Sequence, residues 1–209
     1  MTRSIYVAAP EVRTGWSIIA IGLINALTRE VSNVGVFRPL VPAGDQRDTF
    51  LDALLAQPGV TSGYEESIGS TYAAAMTDRD ATMATIVERY NAMQGKYDAV
   101  VIVGTNYNAA TFASELTLNA QIAANLDAPV CLAVSTRDRS PEEVAQIAEH
   151  AIKEFERHHA HVAAVMGTRV LPENRDAMVA ALSRRPGQLV AGLAEDPVVR
   201  ASSVADQFQ

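Results

Sequence analysis

Short β-rich or continuously apolar runs alternate along this chain with segments whose apolar residues recur at a period near 3.6. Ser4-Ile5-Tyr6-Val7-Ala8-Ala9 opens as a short β-rich run, followed by a turn-like stretch from Pro10 to Gly15. From Ser17 to Leu27, the residues Ile18, Ile19, Gly22, Leu23, Ala26 and Leu27 recur at helical spacing. Val34-Gly35-Val36-Phe37 is a second strand, expected to stop at Arg38-Pro39. Thr49–Ala56 reads as a short helix with Leu51, Leu54 and Leu55 on one face, and another short helix is expected around Ser70–Met76. Thr77-Asp78-Arg79-Asp80 caps a longer helix to about Met93, with Gly95 as its stop.

The second half is clearer. Asp98–Val103 (DAVVIV) and Val130–Val134 are continuous apolar runs, the pattern of parallel strands buried on both faces. Helices are expected over Phe112–Leu126, from the capping box Ser140-Pro141-Glu142-Glu143 to about His158, and over Pro172–Arg184. His161–Met166 and Gln188–Ala191 complete the strands. Strand and helix alternate throughout, which predicts an α/β fold: a doubly wound, mostly parallel sheet with helices on both faces, in three layers. No repeat and no Pro/Gly linker divides the sequence, so residues 1–209 read as one domain.

Composition narrows the partners. The chain has 209 residues, 48% of them apolar, and a net charge of −7, which disfavours nucleic acid or an anionic membrane as partner. Lys96 and Lys153 are its only lysines. No apolar run approaches about 20 residues and no charged-then-apolar leader opens the sequence, so a cytoplasmic location is expected. The single cysteine, Cys131, lies in the apolar run PVCLAV and reads as a buried thiol.

In doubly wound sheets ligands bind beyond the carboxyl ends of the strands, which directs attention to the first strand-to-helix turn. It reads Ala9-Pro10-Glu11-Val12-Arg13-Thr14-Gly15-Trp16-Ser17. Against the phosphate-loop pattern G-x-x-x-x-G-K-[ST], Gly15 and Ser17 match, Pro10 replaces the first glycine and Trp16 stands at the lysine. Trp16 carries no charge and is bulky enough to crowd a phosphate. Arg13, Thr14 and Arg38 remain as candidates to draw an anion toward the helix N-terminus.

Read together, RSIYVAAPEVRTGWS, VGVFRPL, YDAVVIVGTNY, ELTLNAQIAANLDAPVCLAVS, HAHVAAVMGTRV and EDPVVRASSVADQF resemble the N-terminal domain of long-form phosphate acetyltransferases, from Arg3 to Phe208. That domain is in turn similar to the P-loop group of dethiobiotin synthetase and the cobyrinic acid a,c-diamide synthases. In the ATP-using relatives, the resemblance implies an acidic residue for magnesium at the end of the DAVVIV strand, where Val103-Gly104-Thr105 stands here. It implies a purine-binding asparagine where Thr168 stands. With the lysine also replaced, the resemblance implies a vacated nucleotide site, with no catalytic residue and no metal. Acetyl-CoA chemistry is implied to lie in other domains of the whole enzymes, this chain being a fragment or a free-standing relative.

Other constellations weigh less. His150, His158, His159 and His161 fall close together, but adjacent His158 and His159 diverge, and placement at a helix C-terminus accounts for them without a metal. Thr136-Arg137-Asp138-Arg139 follows a strand, as a solvated loop or an anion contact. The leading functional expectation is a non-catalytic regulatory or assembly module. It would have no tight cofactor, would bind at most a nucleotide or small anionic metabolite weakly, and would self-associate or join the rest of a phosphate acetyltransferase. The alternatives are an ATP-dependent ligase using Arg13 or Arg38 in place of the lysine, and an oligomerisation domain with no ligand.

Overall fold

A computed structural model of the chain describes residues 3–12, 14–42, 47–105 and 112–195. Seven parallel strands form one sheet in the order β3-β2-β4-β1-β5-β6-β7: β1 Arg3–Ala8, β2 Val34–Val41, β3 Ile68–Thr71, β4 Ala99–Val103, β5 Val130–Ser135, β6 Val162–Val170 and β7 Leu189–Ala194. The helices are α1 Trp16–Glu30, α2 Thr49–Leu55, α3 Tyr72–Thr77, α4 Arg79–Met93, α5 Phe112–Asn125, α6 Pro141–Arg157 and α7 Arg175–Leu182. The doubly wound parallel sheet expected from the alternation is therefore present.

Successive strand side chains point to opposite faces, which divides the core in two. On one face Tyr6, Phe37, Val100, Ile102, Leu132 and Val134 pack against α4, α5, α6 and α7 through Ile86, Tyr90, Ile122, Phe155 and Leu182. On the other, Val7, Val36, Val101, Val103, Cys131 and Ala133 cluster with α1 (Ile19, Ala20, Ile24) and α2 (Leu51, Leu54), with Val60 and Tyr64 packed alongside. Every residue of β2, β4 and β5 is buried, which explains why their sequences lack alternation. Cys131 is 2% exposed, and burial pushes its thiol up to about 12, so it packs as a small hydrophobe.

Helix boundaries follow capping chemistry. Ser140 and Glu143 exchange side-chain and backbone hydrogen bonds at the start of α6, with Pro141 at the first helical position. Asp78 accepts from the Ala81 N–H at the start of α4, and Gly95, at φ 86°, turns the chain just past its end.

Three expectations need correction. β2 does not stop at Arg38-Pro39 but runs to Val41. Its ladder with β4 ends at Phe37, and its pairing with β3 uses Arg38, Leu40 and Val41, so no sheet bond needs the N–H that Pro39 lacks. The segment around Ser70–Met76 is not wholly helical, because Ile68–Thr71 pairs with β2 before α3 begins. The Pro172–Arg184 helix opens as a short 3₁₀ turn at Pro172–Asn174, and α7 ends at Leu182.

The β2–β3 pair depends on a close approach. A Cβ added at Gly69 would lie 2.4 Å from the Pro39 carbonyl oxygen, a backbone atom that no side-chain rotation can move. Gly69→Ala is expected to cost about 1–3 kcal/mol through this overpacking. Urea unfolding followed by far-UV circular dichroism checks the value.

Candidate functional site

The loop after β1 lies at the carboxyl end of the sheet, beside β5 and β6. Gly15, at φ 75° and ψ 20°, supplies the left-handed turn that starts α1 and makes no side-chain cap. Thr14 is fully buried. Its carbonyl accepts a short hydrogen bond from the Thr168 hydroxyl, which also reaches the Val134 carbonyl at 3.4 Å. The Thr14 hydroxyl itself has no hydrogen-bond partner, although it is out of contact with solvent. Glu11 and Arg139 form a short bidentate ion pair that joins this loop to the segment after β5. Arg139 also donates to the Ser135 carbonyl at 3.2 Å. Ser17 is half-buried in the first turn of α1, and Arg13 lies outside the described residues.

Trp16 is the first residue of α1 and half-buried. Its ring meets Phe50 of α2 edge-on, centroids 4.9 Å apart at 75°. The Arg38 guanidinium lies 5.3 Å from the Trp16 centroid and 5.5 Å from that of Phe50. Arg38 is 2% exposed, so it presents no charge to solvent. Its Nε donates to Asp48 at 3.2 Å and its Nη1 to the Val103 carbonyl at 3.1 Å, with a shorter bond to the Gly104 carbonyl. Asp48 in turn caps α2 by accepting from the N–H groups of Phe50 and Leu51, at 2.9 and 3.0 Å, and its own N–H donates to the Tyr64 hydroxyl. Arg38, read from the sequence as a candidate for attracting an anion, is committed to internal partners.

Beyond Val103 a second buried network closes the end of β4. Asn119 Oδ1 accepts from the Tyr6 hydroxyl at 2.7 Å and the Thr105 N–H at 2.9 Å. Asn119 Nδ2 donates to the carbonyl and hydroxyl of Thr105, both at 3.1 Å, and to the Glu115 carbonyl at 3.0 Å. Burial holds the Tyr6 phenol far above its ordinary value, with Arg38 opposing the shift, so the hydroxyl stays protonated and donates. A Cβ at Gly104 would fall 2.4 Å from Asn119 Oδ1 and 2.8 Å from the Tyr6 ring. The side chain at the end of this strand is therefore restricted to a hydrogen.

The candidates thus separate into three groups: Thr14, Gly15 and Thr168 joined through one hydroxyl; Trp16 and Arg38 stacked; Val103 and Thr105 flanking Gly104. Asp48, Phe50 and Asn119 were not singled out in the sequence. An aspartate directly before Thr49 is an N-cap signal that could have drawn attention to Asp48; nothing marks Asn119, which meets Tyr6 across 113 residues. His158, His159 and His161 lie between the end of α6 and the start of β6, at the opposite end of the strands, and His150 lies within α6. His158 is 3.3 Å from Glu154, and both His158 and His159 line an open groove of about 1120 Å³ between α4 and α5. Among the described residues no group of three or more His, Cys, Asp or Glu is arranged to share a metal ion. No described helix is long and apolar enough to cross a membrane.

A glycine-turned loop between a central parallel strand and α1 is the arrangement of P-loop proteins, and comparison with known proteins agrees. Residues 3–201 match the AAA_26 family (AAA domain), and the chain belongs to that family. Among curated proteins it is similar to the phosphate acetyltransferase of Nitratidesulfovibrio vulgaris, 30% identical over 155 residues. It is also similar to that of Synechocystis sp., 24% identical over 194 residues. These alignments take in 69% and 90% of the chain but only 21% and 28% of the two relatives, so the chain spans about a quarter of their length. Among solved structures it resembles the signal recognition particle 54 kDa protein from Aeropyrum pernix in complex with GDP, with TM-score 0.61, 12% identity and coverage of 98% of this chain and 47% of that one. A ParA family ATPase from Chlorobium tepidum gives TM-score 0.57, 12% identity and coverage of 99% and 90%. These structural likenesses establish a three-layer P-loop fold.

Removing the Arg38 side chain would take from the buried Asp48 carboxylate its guanidinium partner and from the Val103 and Gly104 carbonyls a donor. Arg38→Met is expected to lose about 3–5 kcal/mol of stability. Adding Asp48→Asn, which removes the buried negative charge, is expected to recover part of that loss in urea unfolding.

Proposed function

We propose that this chain is a non-catalytic regulatory or assembly module, corresponding to the N-terminal domain of phosphate acetyltransferases, in which the phosphate loop has lost its grip. The observation that carries the reading is Trp16. At the position of the phosphate-gripping lysine it offers an uncharged ring, engaged with Phe50 and Arg38. The residues present do not fit a magnesium–triphosphate. The end of β4 offers Val103 and Gly104 in place of a carboxylate, and the neighbouring guanidinium uses their carbonyls, leaving a cation in the region where a metal would have to enter. Nucleotide chemistry relies on positioned positive charge around the transferred phosphoryl group, and here the nearest described arginine faces inward.

The relatives support the assignment to phosphate acetyltransferases, and their greater length supports an acetyl-transfer centre lying outside this domain. A domain of this kind contributes by holding other parts of an enzyme together or by binding a small anionic metabolite weakly at the α1 N-terminus.

Thermal unfolding of the wild type and of Trp16→Lys, each with and without millimolar magnesium-ATP, tests the reading. A ligand at 100 times its dissociation constant stabilises by about 2.7 kcal/mol, a shift of roughly 5–10 °C for a chain of this size. The wild type is expected not to move. Stabilisation of the wild type would overturn the proposal in favour of an ATP-dependent ligase of the dethiobiotin synthetase type.

A further inference from the structure

The segment Thr136-Arg137-Asp138-Arg139 follows β5, and its last arginine reaches the loop after β1. Arg139 is held from two sides, unequally. Its Nη1 donates to the Ser135 carbonyl at 3.2 Å, so the end of β5 anchors it. Its Nη1 and Nη2 also donate to the two oxygens of Glu11, the Nη2 bond at 2.9 Å. Glu11, and after it Glu143, favour the guanidinium's charge, but Glu143 is itself engaged by the Ser140 N–H at 2.8 Å. Among the described residues the Glu11 carboxylate hydrogen-bonds only to Arg139. Arg139 is therefore the anchored half of the pair and Glu11 the movable half.

The pair sits where an anion is favoured. Glu11 lies in the turn leading into α1, whose first turn has no acidic residue and whose N-cap, Gly15, offers no side chain. Thr14, one position earlier, has a buried hydroxyl with no hydrogen-bond partner, a state that calls for a partner from outside the chain. The Arg139 and Glu11 side chains are 28% and 21% exposed, so solvent reaches the pair, and an ion pair open to water contributes little net stability.

We infer that Arg139 is the grip of an oxyanion site at this loop and that Glu11 is its built-in competitor, an internal carboxylate that swings away when a ligand takes the guanidinium fork. This rests on the weak anion binding proposed above and names what weakens it. The fork serves a carboxylate and a phosphate with the same two parallel N–H donors, so the ligand is a small molecule presenting either group. When Glu11 leaves, Arg139 keeps its Ser135 anchor and stays in place for the incoming oxygens.

NMR titration of the full chain with inorganic phosphate and, separately, with acetate at constant ionic strength is the test. An internal competitor lowers apparent affinity by the fraction of time it is seated. Glu11→Gln is therefore expected to bind one of the two anions about three- to tenfold more tightly than the wild type. The anion that gains identifies the group as phosphate or carboxylate. Glu11→Gln/Arg139→Gln is expected to lose the gain, and a gain that survives there would overturn Arg139 as the grip. In the wild type, saturating anion is expected to move the Glu11 carboxyl ¹³C resonance toward that of a free glutamate, and an unmoved resonance would overturn the displacement even if the variants fold poorly. Equal binding by wild type and Glu11→Gln would overturn the competitor and leave the anion-binding module standing. No binding by either would overturn the site together with the metabolite role, leaving the assembly role and the magnesium-ATP result untouched.

Discussion

The carboxyl edge of the sheet is organised around one buried positive charge. A guanidinium can leave water only if its N–H groups find acceptors and its charge finds a counter-ion. Arg38 meets both conditions by reaching across strands: the Asp48 carboxylate on one side, the Val103 and Gly104 carbonyls on another, and the Trp16 and Phe50 rings beside it. The β2–β4 ladder ends at the Phe37–Ile102 pair, and the Val103 carbonyl just beyond it needs a donor. Arg38 supplies it. A single side chain thereby fixes the end of β4, the start of α2 through its cap, and the first residue of α1.

The same economy governs the rest of that edge. Polar groups near the loop after β1 are mostly consumed by one another: Glu11 by Arg139, the Thr14 carbonyl by Thr168, and the Thr105 N–H by Asn119. The Thr14 hydroxyl is an exception. On the reading proposed above, contacts that turn inward in this way leave few polar groups for a polyanion.

Much of the architecture was legible in the sequence because the strongest signals are local. DAVVIV and PVCLAV are apolar without alternation, which only a doubly covered strand explains, and Ser140 to Glu143 spells a capping box. The loop was legible too, since Gly15 and Trp16 sit at fixed offsets from β1. Two failures came from long-range effects. Arg38-Pro39 looked like a strand terminator because proline lacks a donor, but the sheet asks for none there. Ile68–Thr71 is a strand only because β2 lies alongside, with Gly69 admitting the close approach. The partners of Arg38 were hidden for a related reason. Val103 and Gly104 contribute carbonyls, which any residue possesses, so no side-chain pattern could announce them.

The sole cysteine gives the molecule an internal gauge of its own breathing. Cys131 lies in β5, between β1 and β6, almost entirely shielded, with its thiolate strongly disfavoured. An alkylating reagent can reach it only when the helix layer over this face of the sheet lifts or the sheet itself opens. The rate at which the thiol is captured therefore reports openings of that layer, and its dependence on denaturant separates local from global events.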